Sequence, residues 1–355
     1  MNKLDLYAGQ EAYAAIRENG LTPEMVSGVV SAAGGPKWFT TYGLTRYIIG
    51  ELLREAAQEL HFLGASVGSW QMTAALTADP IAAIDRLRVA YCTSIYSDNP
   101  DASEISATCG EIISALIHDE AEYILSHTSR RLHVVTARGK GWLSHPSKIL
   151  RGGGFAVAYV ANTISRRLLR HVTERVIFSY GATLPYDVDI DDLPTHQASL
   201  TPHNIHEALR ASGSIPFMME GGRDISGGPT GMYWDGGMTD YHIALPYDVS
   251  GIILHPHFMP QVLPGWFDKK SMRRRRAHSA QMSKVLLVVP SEEYIASLPR
   301  GQISDMKDFY YYGTDQQARI RYWTEISERS LELGEELKSL ITSGDIVDKV
   351  RPYKG

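Results

Sequence analysis

The sequence predicts an α/β protein, three layers thick, with helices on both faces of a mainly parallel sheet. Two observations lead there. Apolar, β-branched runs of strand length alternate with stretches of helical spacing between Met25 and Leu76. Glycines and other small residues mark each passage from strand to helix, as a parallel crossover unit requires. A hydrophobic share of 44% with 21% charged residues supplies a sizeable core and excludes whole-chain disorder.

In chain order, Met25 to Ser31 is the first strong strand and runs into Ala32-Ala33-Gly34-Gly35-Pro36. Pro36 suits a first helical turn, and Phe39, Tyr42, Tyr47, Leu52 and Leu53 recur at helical spacing behind it. His61 to Gly64 is a second strand, followed by Ala65-Ser66-Val67-Gly68 and a helix that Pro80 helps to end. Ile81 to Ile95 and Glu104 to Leu125 read as amphipathic helices, and Arg131 to Ala137 as a strand. The glycines of Arg151-Gly152-Gly153-Gly154 read as a loop-to-helix hinge opening a helix toward Arg170. A strand at Arg175 to Tyr180, a helix around His203 to Ser212 and a turn-dense loop from Gly221 to Gly231 lead to Trp234-Asp235-Gly236-Gly237. Strands at Gly251 to Leu254 and Val285 to Val289 complete the sheet. The expected organisation is one domain over residues 1–307, with 308–355 as a C-terminal helical region packed on it.

A net charge of −5 gives no global pull toward nucleic acid, and none is expected as a partner. Two cysteines, Cys92 and Cys109, are too few for a disulfide scaffold. With no apolar leader and no spanning run, a cytoplasmic protein is expected, with peripheral contact at the inner membrane surface.

Three segments carry chemistry. Gly64-Ala65-Ser66-Val67-Gly68 fits G-x-S-x-G between a strand and a helix, where a sharp turn exposes the serine hydroxyl. The Val67 N–H then sits at a helix N-terminus, facing the space where an oxyanion forms. Ala33-Gly34-Gly35-Pro36-Lys37 ends the neighbouring strand, so its loop borders Ser66; Gly34 and Gly35 supply free N–H groups, and Lys37 anchors the loop or biases the field. Asp235-Gly236-Gly237 places a carboxylate on a fixed turn whose glycines permit close approach. Taken singly, each of the last two is an ordinary turn.

In this order the three resemble the patatin-like phospholipase family, whose glycine-rich oxyanion loop, G-x-S-x-G and D-G-G/A read here as AGGPKW, GASVG and DGG. Ala208 to Phe217 is similar to the family's A-x-x-A-S-x-A-I-P segment. The resemblance spans Val26 to about Ala244. It implies Ser66 as nucleophile, Asp235 as base without a histidine, and Gly34, Gly35 and Val67 as oxyanion donors, with Lys37, Gly64, Gly68, Gly236 and Gly237 supporting. It further implies hydrolysis of lipid acyl esters, phospholipid or lysophospholipid, with no cofactor or metal. The chain departs from the pattern at Ala33, at Trp38, which replaces a loop-closing glycine, and at Thr239-Asp240-Tyr241-His242 in place of Asn-x-Pro.

Rival readings have their own residues. Ser66, Asp235 and either His255 or His257 would give the chain order of a Ser-His-Asp α/β-hydrolase, although Ser66 follows only the second strand. A metal hydrolase lacks any ligand-spaced motif. A non-catalytic lipid- or protein-binding member of the fold would be free to lose Ser66 or Asp235. Finally, Lys269, Lys270 and Arg273-Arg274-Arg275-Arg276 follow Trp266-Phe267, a pattern suited to an anionic membrane surface.

Overall fold

A computed structural model describes residues 2–181, 184–186, 193–270 and 275–354. Its strands are β1 (Leu4–Ala8), β2 (Val26–Ser31), β3 (Leu60–Ala65), β4 (Arg130–Gly139), β5 (Thr173–Ser179), β6 (Thr195–Ser199), β7 (Gly222–Arg223), β8 (Met232–Asp235), β9 (Ile252–Pro256), β10 (Val285–Pro290) and β11 (Val350–Pro352). They form one mostly parallel sheet in the order β11-β1-β10-β9-β2-β3-β4-β5-β6, with β8 paired to β4 and β7 to β8.

The helices are α1 (Gln10–Asn19), α2 (Tyr42–Tyr47), α3 (Val67–Ala74), α4 (Pro80–Cys92), α5 (Ala102–Ile117), α6 (Ala121–Ile124) and α7 (Lys148–Ile164). After them come α8 (Ile205–Ser212), α9 (Glu292–Ser297), α10 (Lys307–Tyr312), α11 (Gln316–Arg329), α12 (Leu331–Ser343) and α13 (Ile346–Lys349). Asp79 and Asp101 cap α4 and α5 by accepting first-turn N–H groups.

Central strands are apolar on both faces, as a sheet covered on both sides requires. Phe62, Leu132, Val134, Val176 and Leu254 look toward α2–α5, α8, α11 and α12. Alternate residues Val30, Leu63, Val135 and Ile253 look the other way, onto Tyr241, Leu245, Phe258 and Val262. That second outer layer is partly non-helical chain, joined by α7 through Phe155, Ala158, Trp234 and Met238. The C-terminal region belongs to the same body: α12 packs on α2, and β11 adds a strand beside β1.

Several details differ from expectation. Beyond Pro36 the chain first makes a 3-10 turn, Gly35–Thr41, before α2. The glycines at 152–154 lie inside α7, not at a hinge. Gly154 is needed there because a Cβ would meet the Leu143 N at 3.0 Å. The end strands β1 and β11 and the antiparallel pairings of β4 with β5 and β8 were not read from sequence.

Candidate active site

The register of β4 brings the site together. Its first half pairs with β3, ending at Ala65↔Val135. The next residue, Thr136, pairs with Asp235 at the end of β8. Two strands distant in sequence therefore meet end to end along one edge of β4, their last residues pairing with the consecutive Val135 and Thr136. Ser66 is the residue after β3, and Asp235 the last of β8. Gly236 suits this junction, since a Cβ there would lie 2.2 Å from the Val135 carbonyl oxygen.

Ser66 adopts φ 55°, ψ −134°, a conformation that costs a non-glycine residue on the order of 1–3 kcal/mol. Neighbours hold it there. Its N–H donates to Ser212 Oγ at 2.9 Å, and that hydroxyl donates to the Val135 carbonyl at 2.7 Å. Ser69 Oγ donates to the Ser66 carbonyl at 2.6 Å. The flanking glycines serve packing: a Cβ at Gly64 would lie 2.3 Å from Ser69 N, and one at Gly68 2.1 Å from the Ser31 carbonyl. α3 thus enters directly against β2 and presents the Val67 N–H.

Asp235 is buried, and burial pushes its carboxyl up from the ordinary 3.8 to about 6. Weaker effects oppose this: hydrogen bonding from the Ser66 side chain, the Gly237 N–H, and the nearby charge of Lys269. The Gly237 N–H donates to Asp235 Oδ1 at 2.7 Å, and the Asp235 N–H donates to the Ser214 carbonyl at 3.0 Å. Ser212 and Ser214, two residues apart, therefore tie Ser66 and Asp235 to one short segment. Neither role was read from sequence, although Ala208 to Phe217 was noticed; a serine beside an apolar helix end carries no sign of its distant partner.

Gly34 and Gly35 lie across the opening. Gly35 has φ 55°, and a Cβ at Gly34 would come within 2.8 Å of the Phe258 ring. Lys37 pairs with Asp305 at 3.5 Å and so fastens the loop to the chain before α10. Trp38 is buried between Phe39 and Tyr42.

These residues line a cavity of about 400 Å³, in the range of small-molecule sites. Its lining includes Ser66, Asp235, Gly34, Gly35 and Lys37, together with Met218, Met238, Trp266, Met306 and Tyr310. No histidine is among its lining residues. His255 and His257 are buried two strands from β3, beside His242. Burial holds His255 well below the usual range and His257 down at about 3, so neither is a competent base near neutrality. Among the described residues, no group of His, Cys, Asp and Glu is arranged to hold a metal ion.

Asp240 explains the departure after Asp235-Gly236-Gly237. Its carboxylate takes the guanidinium of buried Arg175 through both oxygens, at 2.5 and 2.6 Å. The loop leaving the acid is thereby fixed to β5. Of the basic segment, Arg273 and Arg274 lie outside the described residues, as does the side chain of Lys270. Arg275 is turned inward, donating to Asn162 of α7 and to Asp268. Among the described residues no helix is long and apolar enough to cross a membrane.

No protein-family model matches this chain, and neither does any curated protein or solved structure with which it was compared.

Proposed function

We propose that this chain is a serine acyl hydrolase of the patatin-like type, cleaving lipid acyl esters through an acyl-enzyme. The observation that carries the reading is a cavity without histidine lined both by Ser66, on its strained turn, and by the buried Asp235 carboxyl, which burial raises to about 6. An acid so placed is half ionised near pH 6 and accepts a proton in the neutral range.

In the first half-reaction Ser66 Oγ attacks the ester carbonyl while its proton passes to Asp235. The oxyanion lies against the N–H groups of Gly34, Gly35 and Val67. Collapse breaks the ester C–O bond, and Asp235 returns the proton to the departing alcohol. Water then attacks the acyl-enzyme with its proton taken by Asp235; Ser66 recovers a proton and the fatty acid leaves. The methionines and aromatics among the lining residues offer an adaptable apolar wall for an acyl chain. Two free, buried cysteines accord with a reducing, cytoplasmic setting.

Labelling by a fluorophosphonate, followed by turnover of p-nitrophenyl esters and phospholipids, tests the reading. Wild type should label and Ser66→Ala should not; a folded wild type that neither labels nor turns over any ester refutes it. The double variant His255→Asn/His257→Asn should retain turnover, whereas near-complete loss in folded protein would return the Ser-His-Asp reading.

A further inference from the structure

Helix α7 is apolar on two sides. Its inner side, Phe155, Ala158 and Asn162, is buried over Trp234 and Met238. The outer side repeats Ile149, Gly153, Val157, Val160 and Ile164 at helical spacing, and its four large members are exposed by 86%, 45%, 57% and 58%. Trp142, itself exposed, covers the gap at Gly153, where a Cβ would lie 3.5 Å from its ring. Eight of the fifteen large apolar side chains that the described residues leave exposed fall between Trp142 and Leu168. An outward row of this kind is an interaction surface, because scattered apolar exposure would not gather on one helix.

Charge identifies its partner. From Lys140 to Thr173 the chain carries six Lys or Arg and no Asp or Glu; Lys140 pairs with Glu174 at 2.6 Å and buried Arg166 lies 3.8 Å from Asp240, which leaves four others. Lys148, Arg167 and Arg170 are exposed beside the apolar row. A two-fold interface between copies would set these cations against their own images, whereas an anionic bilayer attracts them and accepts the apolar row among its acyl chains.

The helix also reaches the cavity, through its inner side: Phe155 packs against Phe217 with ring centroids 4.8 Å apart and the rings tilted by 57°. Phe217 stands between the cavity-lining Pro216 and Met218, at φ 70°, and is 67% exposed. We propose that the outer face of α7, with Trp142 and Phe217, docks the protein on an anionic lipid bilayer and turns the mouth of the cavity toward it. The proposal deepens the lipid-ester reading and rests on it for its purpose; the docking itself is measurable without catalysis.

The test uses Ser66→Ala protein, which leaves lipid intact, and sedimentation with vesicles of phosphatidylcholine containing roughly one-third phosphatidylglycerol. Adding Ile149→Ser, Val160→Ser and Ile164→Ser, all at exposed positions, should lower partitioning by about tenfold or more. With Ser66 intact, the same three changes should spare turnover of a short soluble ester and reduce turnover of vesicle-borne ester. Absent vesicle binding, or partitioning indifferent to the three changes, overturns the docking. So does a wild-type dimer that the three changes render monomeric, since a second copy would then cover the face. Failure of fluorophosphonate labelling would remove the hydrolase reading while leaving the sedimentation result to decide docking by itself.

Discussion

Replacing Asp235 with Asn should stabilise the protein at neutral pH while abolishing its chemistry. The carboxyl is buried and its pKa is raised from 3.8 to about 6. A carboxyl that binds its proton more tightly when folded than when unfolded favours the fold in acid. That advantage is complete below the unfolded value near 4 and is lost as pH rises through about 6. Above that, holding the anion costs the difference between the two pKa values, ~3 kcal/mol. Asn preserves the shape, and its carbonyl can still accept the Gly237 N–H, so the variant is relieved of most of that cost. For a chain of this length ~3 kcal/mol corresponds to a Tm increase of about 4 °C. Paired thermal melts of wild type and Asp235→Asn at pH 8 and pH 4.5, read by far-UV circular dichroism, should show a gain at pH 8 that shrinks in acid. An equal difference at both pH values, or a less stable variant at pH 8, would refute the claim that a desolvated anion sits at this position.

Three further outcomes follow from the same geometry. With Asp235 as base, kcat/KM for a soluble ester should fall about tenfold per unit below pH 6, where an ordinary carboxylate would give no loss until near pH 4; a flat profile to pH 5 would exclude Asp235 as the base. Ser212→Ala leaves the Ser66 N–H and the Val135 carbonyl without their shared partner, so kcat should drop roughly tenfold or more with KM little changed, and stability by about 2 kcal/mol. Asp240→Asn removes the carboxylate that the buried Arg175 guanidinium grips and should cost about 3–5 kcal/mol by urea denaturation, whereas Arg175→Met with Asp240→Leu should cost less, because the Arg175 charge is removed with its partner and only the longer 3.8 Å contact of Arg166 is lost besides.

Local signals in the sequence were strong where the chain turns sharply. The strand before Ser66 and the glycines around it are short-range features, and Ser66 follows β3 directly at the entry to α3; Asp235-Gly236-Gly237 by itself reads as an ordinary turn, and only the three motifs taken together point to a shared cavity. Long-range features left no such trace. Asp240 looks like any loop acid until β5 brings Arg175 against it, and Ser212 looks like a helix terminus until β3 arrives above it. The triple glycine of α7 was misread because glycine usually interrupts helices; here Gly154 passes close to the Leu143 backbone, where a Cβ would be tight, while Gly152 and Gly153 have room for one. His255 and His257 offered the chain order of a triad, but their rings lie 4.9 Å apart between centroids and are buried together beside His242, a cluster that only the packing of distant loops reveals.

The abutment of β3 and β8 along one edge of β4 also bears on how the proposed activity would be acquired. Sliding β8 by one residue would point the acid at the opposite face and disturb, besides its own pairing with β4, only the two-residue β7. Competence therefore depends on a pairing between segments far apart in the chain, the slowest kind of contact to form. Regain of turnover after denaturation reports that one alignment, and a refolding population can look native by spectroscopy while still inert.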